Sequence, residues 1–201
     1  MTSVTKAATK PEGSARPLRA DAARNRARIL EAAEQVFAEQ GAGAGMDDVA
    51  AAAGVGVGTL YRHFPTKDAL VAAVLIARLE QLAEVGETYL GSDRPGDALF
   101  EFLGRFVETS KSKQDLIDAM TNGADHEELF GTPGIAVFER LNALVDQLLK
   151  AAQAAGEVRP DVTASDLLGL TLGPCMATAS PFLINGSSDR MLSIVRAGLS
   201  L

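Results

Sequence analysis

Apolar side chains recur at three- and four-residue steps through most of this chain, and the rhythm stops at glycines, prolines and short polar runs. The first periodic stretch opens at Asp21, an N-cap residue by type. It carries Ile29, Leu30, Ala33, Val36 and Phe37 on one face and closes at Gly41. "GAGAG" (41–45) reads as a flexible link into a short helix with Met46, Val49, Ala50 and Ala53 on its apolar side and Gly54 as its stop. After "VGV" a third short helix is expected over 58–64, with Leu60 and Phe64 inward. Pro65 and Thr66 interrupt it. Thr66 caps a long helix over 67–89 that turns Leu70, Val74, Ala77 and Leu82 inward.

The second half repeats the same grammar. "GSDRPGD" (91–97) is a loop, 98–111 is amphipathic through Phe102, Leu103 and Phe106, and a short helix is expected over 114–121. "GTPG" (131–134) precedes a long helix over 135–155 carrying Phe138, Leu141, Val145, Leu148 and Leu149, which Gly156 stops. Thr163 with Asp166 three residues on forms a capping-box pair opening a helix over 163–179, and the last helix covers 188–199. Pro174 inside the penultimate helix removes an N–H, so a kink is expected there, either as plain packing or beside a cavity. Nothing shows the period-two alternation of a strand, so the expected fold is all-α with about nine helices.

Composition narrows the class. The 201 residues are 47% hydrophobic, enough for an ordinary core, and the single cysteine, Cys175, excludes an internal disulfide and a multi-thiolate zinc site. No signal-peptide core and no membrane-length apolar run is present, so a cytoplasmic protein without membrane contact is expected. The net charge of -7 is unevenly spread. Residues 1–67 carry nine basic against seven acidic side chains, and 68–201 carry ten against nineteen. The N-terminal end can approach a polyanion while the remainder repels one. Residues 1–20 lack apolar periodicity and read as a disordered basic arm, either a solvated tail or an arm reaching DNA.

The decisive stretch is "AAAGVGVGTLYRHFPTKDAL" (51–70). A phosphate-binding glycine loop needs a strand before it, and here the preceding segment is alanine-rich and helical. The G-K-[ST] ending of a P-loop is also missing. A short helix, a glycine-containing turn and a second short helix, braced by a longer first helix, form a helix-turn-helix instead. With Leu60 and Phe64 inward, Val57, Gly58, Thr59, Tyr61, Arg62 and His63 fall on or near the outer face and make up the contact set.

"ILEAAEQVFAEQG" and "MDDVAAAAGVGVGTLYRHFPTKDALV" together resemble the N-terminal domain of the TetR family of transcriptional regulators, over about a quarter of the chain (24–71). The resemblance implies a DNA-binding domain over 21–66 and an effector-binding and dimerisation domain over 67–201. It gives Tyr61 a place against the operator backbone and bases, Thr59 and His63 phosphate bonds, and Lys67 a phosphate at the start of the fourth helix. Arg62 is the candidate for a bidentate guanine contact. Where family members often carry Ser then Lys after the turn, this chain has Gly56 and Val57, and Val57 is left to meet a thymine methyl. Ala44 and Gly45 replace the usual hydroxyl caps of the second helix. Affinity then leans on Arg16, Arg19, Arg24 and Arg28.

The implied activity is that of a repressor on a palindromic double-stranded operator. It would be homodimeric through the last two helices and released by a small apolar effector of unknown identity. Candidates to line the effector cavity are Phe102, Phe106, Met120, Phe138, Leu141, Leu172 and Met176, whose helical spacing fits a packed core equally well. Two histidines, one cysteine and no paired acids give an enzyme neither nucleophile nor metal cluster, and His126 in "DHEE" has no partner histidine. No cofactor or metal is expected. The rival reading is an all-α interaction or ligand-binding module that does not touch DNA.

Overall fold

The computed structural model describes residues 15–121, 126–177 and 188–200, with side chains at all of these except 15–20, 42, 111–121, 126–130, 172–177 and 188–189. The described residues form α1 (Ala15–Gln40), α2 (Met46–Ala53), α3 (Val57–His63), α4 (Lys67–Glu87), α5 (Pro95–Thr121), α6 (His126–Ala154), α7 (Ala164–Ala177) and α8 (Ser188–Leu199), with a 3-10 turn at Gly41–Gly43. The fold is all-helical. Among the described residues the one extended pairing is an antiparallel bridge between Val158 and Ser200, where Arg159 N–H donates to the Leu199 carbonyl at 3.0 Å.

Among the described residues eight helices stand where the periodicity predicts about nine, because the helices expected over 98–111 and 114–121 are one. The polar run between them holds no glycine or proline, and polarity alone does not end a helix. At the other end, α1 begins at Ala15, so Asp21 lies within the helix as the ion-pair partner of Arg24 and is not its N-cap. Pro17 sits in the first turn, where a missing N–H costs nothing. Part of the expected disordered arm is therefore helical, while residues 1–14 lie outside the described residues. "GTPG" breaks the helical path as expected, with Gly131 at φ 52°, and one further helical turn precedes it. The kink expected at Pro174 falls outside the described side chains. The α7 backbone is helical on to Ala177.

Local chemistry accounts for the remaining boundaries. Gly54 takes the left-handed conformation at φ 62°. Its N–H returns to the Ala51 carbonyl at 3.1 Å and the Val55 N–H to Ala50 at 3.0 Å, the paired bonds that close a helix at glycine. The Thr66 hydroxyl accepts from Ala69 N–H at 3.1 Å at the start of α4. Thr163 and Asp166 cap α7 reciprocally, Thr163 N–H donating to the carboxylate at 2.9 Å and Asp166 N–H to the hydroxyl at 3.2 Å.

The apolar faces gather into two cores. The first joins α1 to α3 and the beginning of α4 through Ile29, Phe37, Val49, Leu60, Phe64 and Leu70. The second joins the rest of α4 to α5, α6, α7 and α8 through Leu82, Phe102, Leu103, Leu141 and Leu148. Helix α4 belongs to both: Leu70 to Leu75 fill the first and Leu79 to Ala83 the second. Phe138 of α6 packs against both.

Close contact between α4 and its neighbours depends on Gly86. A Cβ there would lie 2.3 Å from Leu144 Cδ2 and 2.5 Å from Phe102 Cε2. Alanine gains about 1 kcal/mol of helix propensity over glycine, but overpacking a filled core costs about 1–3 kcal/mol and more for so close an approach. Gly86→Ala is therefore expected to destabilise the protein by about 1–2 kcal/mol net, read as a lower urea midpoint at unchanged slope. An unchanged midpoint would show that the helices part without cost.

Candidate nucleic-acid interface and effector cleft

The short helix α3 is held by its inner side. Leu60 is fully buried and Phe64, at its C-cap, is nearly so. Opposite them, Val57 and Tyr61 are 42% and 45% exposed. Gly58 and Arg62 are exposed as well, and Thr59 and His63 are half-buried. Positions 57, 58, 61 and 62 thus share one outward face, as the four-residue spacing requires.

The helix starts without a side-chain cap. Gly56 accepts from Thr59 N–H at 2.8 Å and Leu60 N–H at 3.2 Å through its carbonyl alone. Helix α2 is capped in one direction only, the Asp48 carboxylate accepting the Gly45 N–H at 3.1 Å. Gly58 has helical φ, and a Cβ built on it meets nothing within 4 Å. Nothing inside the chain therefore requires glycine at this position.

Basic residues of α1 and α4 flank this face. Arg28 reaches over the turn, its Nη2 2.8 Å from where a Gly54 Cβ would stand. The Arg26 guanidinium lies 5.2 Å from the centre of the Phe64 ring, a stacked cation at the end of α3. Arg26 is absent from the residues picked by sequence, because its closeness to α3 is a tertiary fact and no local pattern marks it. Lys67 is the first residue of α4 and half-buried. Arg24 is exposed and paired with Asp21.

Of the expected effector residues, four have described side chains. Phe102 and Leu141 are fully buried and Phe106 nearly so. The Phe102 and Phe106 rings stand edge-on with centroids 6.2 Å apart, and Phe138 is half-buried. Met120, Leu172 and Met176 lie outside the described side chains, as do His126 and Cys175. An open cleft of about 1250 Å³ runs between α1, α4, α5 and α8, and none of Phe102, Phe106, Phe138 or Leu141 borders it. Its floor is Leu82, Val85, Phe100 and Leu192, and its rim includes Arg78, Arg94, Arg105 and Arg196. Helical spacing identifies an inward face but does not separate a filled one from one that lines a void, and at Phe102, Phe106 and Leu141 the face is filled.

Ion pairs order the rim. Arg94 and Arg196 both pair with Asp97. The Arg196 hydrogen bond, aided by the Arg94 charge and opposed by desolvation, holds the Asp97 carboxyl below its ordinary range. The Tyr89 hydroxyl donates to Glu101 at 2.7 Å and accepts from Arg105 Nε at 2.7 Å. Desolvation, then the bond to Glu101, raises the Tyr89 phenol. Among the described residues, no group of three or more His, Cys, Asp or Glu could hold a metal ion.

The family model described as "Bacterial regulatory proteins, tetR family" matches residues 29–74, the helices that build this interface. The model described as "Transcriptional regulator SbtR-like, C-terminal domain" matches residues 94–201, more than half of the chain. The chain belongs to the TetR family. A crystal structure of a TetR transcription regulatory protein from Mycobacterium vanbaalenii is 40% identical and superposes with a TM-score of 0.67, covering 92% of this chain and all of the other. A TetR regulator from Streptomyces coelicolor is 31% identical at a TM-score of 0.67, covering 87% of this chain and 98% of its own. The HTH-type transcriptional regulator SrpR of Pseudomonas putida is 28% identical over 186 residues, 92% of this chain and 86% of its own length. As a TetR-family member the chain is a DNA-binding transcriptional regulator, and α2 and α3 are its helix-turn-helix.

Gly58 yields a test with opposite signs. Gly58→Ala is expected to raise folding stability by about 0.5 kcal/mol, because glycine in a helix is entropically costly and the added methyl meets no protein atom. The same methyl is expected to weaken duplex binding at least severalfold, because the space is kept for an outside partner. Thermal unfolding and fluorescence polarisation on one preparation read both, and tighter or equal binding would remove Gly58 from the interface.

Proposed function

We propose that this TetR-family chain is a repressor that binds a palindromic operator as a homodimer, with α3 of each copy in a major groove, and lets go when a small molecule enters its C-terminal domain. The DNA-binding unit would be 21–66 and the regulatory unit 67–201. The observation that carries the reading is the outer face of α3, where Val57, Tyr61 and Arg62 are exposed while Leu60 and Phe64 anchor the helix from behind. In this reading Arg62 reads a guanine, Tyr61 packs on the backbone and bases, and Thr59, His63 and Lys67 bond phosphates, with Arg24, Arg26 and Arg28 adding positive charge from α1.

Exposed apolar residues on the last two helices support the homodimer. Leu170 of α7 is 51% exposed and Ile194 of α8 is 62% exposed. Single exposed apolar residues are ordinary, but these sit on adjacent helices, and a two-fold axis would bury both twice. The effector would rest on the floor formed by Leu82, Val85, Phe100 and Leu192 with its polar groups toward the rim. Because α4 borders the cleft and also fills the DNA-binding core, a ligand that prefers one α4 position changes the spacing of the two α3 helices. A chromosomal target makes the cytoplasm the working compartment. No helix of the described residues is long and apolar enough to cross a membrane.

Two measurements test this. Fluorescence polarisation on the chain's upstream region across a salt series is expected to give log affinity falling linearly with log salt. Lys67→Ala is expected to lower the slope by about one, and Arg62→Ala to cost about 1–3 kcal/mol at one base pair of the operator. Slopes and sequence preference unchanged in both variants would remove α3 and α4 from the contact. Sedimentation of Leu170→Glu/Ile194→Glu is expected to give a monomer where the parent is a dimer. A retained dimer would put the interface elsewhere.

A further inference from the structure

Between the end of α2 and the first turn of α3, glycine occupies 54, 56 and 58, so only Val55 and Val57 carry side chains there. Val55 is half-buried against the first core. Val57 alone points away from the protein, 42% exposed. A Cβ on Gly56 would meet only the Thr59 hydroxyl at 4.0 Å, and one on Gly58 would meet nothing. The first turn of α3 holds no acidic residue, and its basic residues, Arg62 and His63, are in the last turn. At its leading end the reading helix thus offers a base pair an isopropyl group with bare backbone on either side.

The major groove displays donors and acceptors from every base pair but one apolar mark, the methyl on C5 of thymine. Cytosine carries a methyl at the same ring position only when it has been modified to 5-methylcytosine. We propose that Val57 makes this regulator a reader of the C5-methyl group, so that at one base pair of each half-site affinity follows the presence of the methyl and not the identity of the base. The proposal rests on the reading that α3 lies in the major groove, and it adds the chemical feature that its leading end recognises. It makes thymine and 5-methylcytosine equivalent at that position, and uracil and unmodified cytosine equally poor. Operator occupancy would then respond to cytosine methylation wherever a half-site carries a cytosine there.

The test uses the full chain and a duplex selected by it from a randomised pool. Each thymine is replaced singly by deoxyuridine, which deletes only the methyl. One position per half-site is expected to lose about fourfold in affinity, and both half-sites together about fifteenfold, the worth of one buried methyl per contact added over separate positions. At that position a 5-methylcytosine·guanine pair is expected to bind like thymine·adenine, and unmethylated cytosine like uracil. Val57→Ala, a change at an exposed site outside the core, is expected to erase the difference between thymine and uracil at that position, binding the thymine duplex about as weakly as the parent binds the deoxyuridine one. If no deoxyuridine substitution weakens binding, or if the penalty persists in Val57→Ala, the inference is overturned while the α3 reading stands. Absence of salt-dependent duplex binding by the unsubstituted chain would instead overturn the α3 reading and this inference with it.

Discussion

Everything in this structure hangs on one apolar stripe along α4. Residues Leu70 to Leu75 close the core beneath the reading helix, and Leu79 to Ala83 open the core of the regulatory half. A helix is stiff along its axis, so displacing one end displaces both. An ion pair also crosses the seam, Arg78 Nε to Glu34 at 2.8 Å. Glu34 is 44% exposed there, and such pairs are worth about 0–1 kcal/mol, whereas each buried leucine or valine on α4 is worth about 1.5–3 kcal/mol. The halves are therefore joined by packing, with Phe138 as a second bolt from α6, and the ion pair trims the geometry.

The same ledger explains how α3 keeps its shape with so little of its own. Seven residues are far below the length at which an isolated helix persists, and the helix lacks a side-chain cap worth about 1 kcal/mol. Leu60 and Phe64, buried against α1, α2 and α4, supply more than that deficit. Anchoring from behind frees the leading end of α3 from every structural duty. Glycine at 56 and 58 is then affordable, and the face that remains is shaped for something outside the chain.

What could be read in advance was whatever local chemistry decides. The left-handed stop at Gly54, the Thr66 cap, the Thr163 and Asp166 pair and the inward positions of Leu60 and Phe64 each follow from residues within a turn of one another. The continuity of α5 was hidden because a polar run looks like a loop when no neighbour is there to hold it. The stacking of Arg26 on Phe64 was hidden because the two residues lie far apart in the chain. Helical periodicity marked Phe102, Phe106 and Leu141 as inward, and inward they are, but filled space and cavity share one period. The open cleft has an apolar floor of Leu82, Val85, Phe100 and Leu192 and a charged rim, and only folding brings these positions of α4, α5 and α8 together.

The polarised charge can now be reconciled with a polyanionic target. Helix α4 has 21 residues, so it spans about 30 Å, roughly three to four screening lengths at physiological salt. On the proposed reading, acidic side chains at the far end of α4 and beyond would be screened from phosphates at the α3 face, while Arg28 over the turn and Arg26 at the Phe64 end of α3 would act at close range. Net charge therefore says little about whether this chain binds DNA. On the proposed reading it says how: the acidic body would repel a second duplex approaching from behind and leave the α3 side to meet the operator.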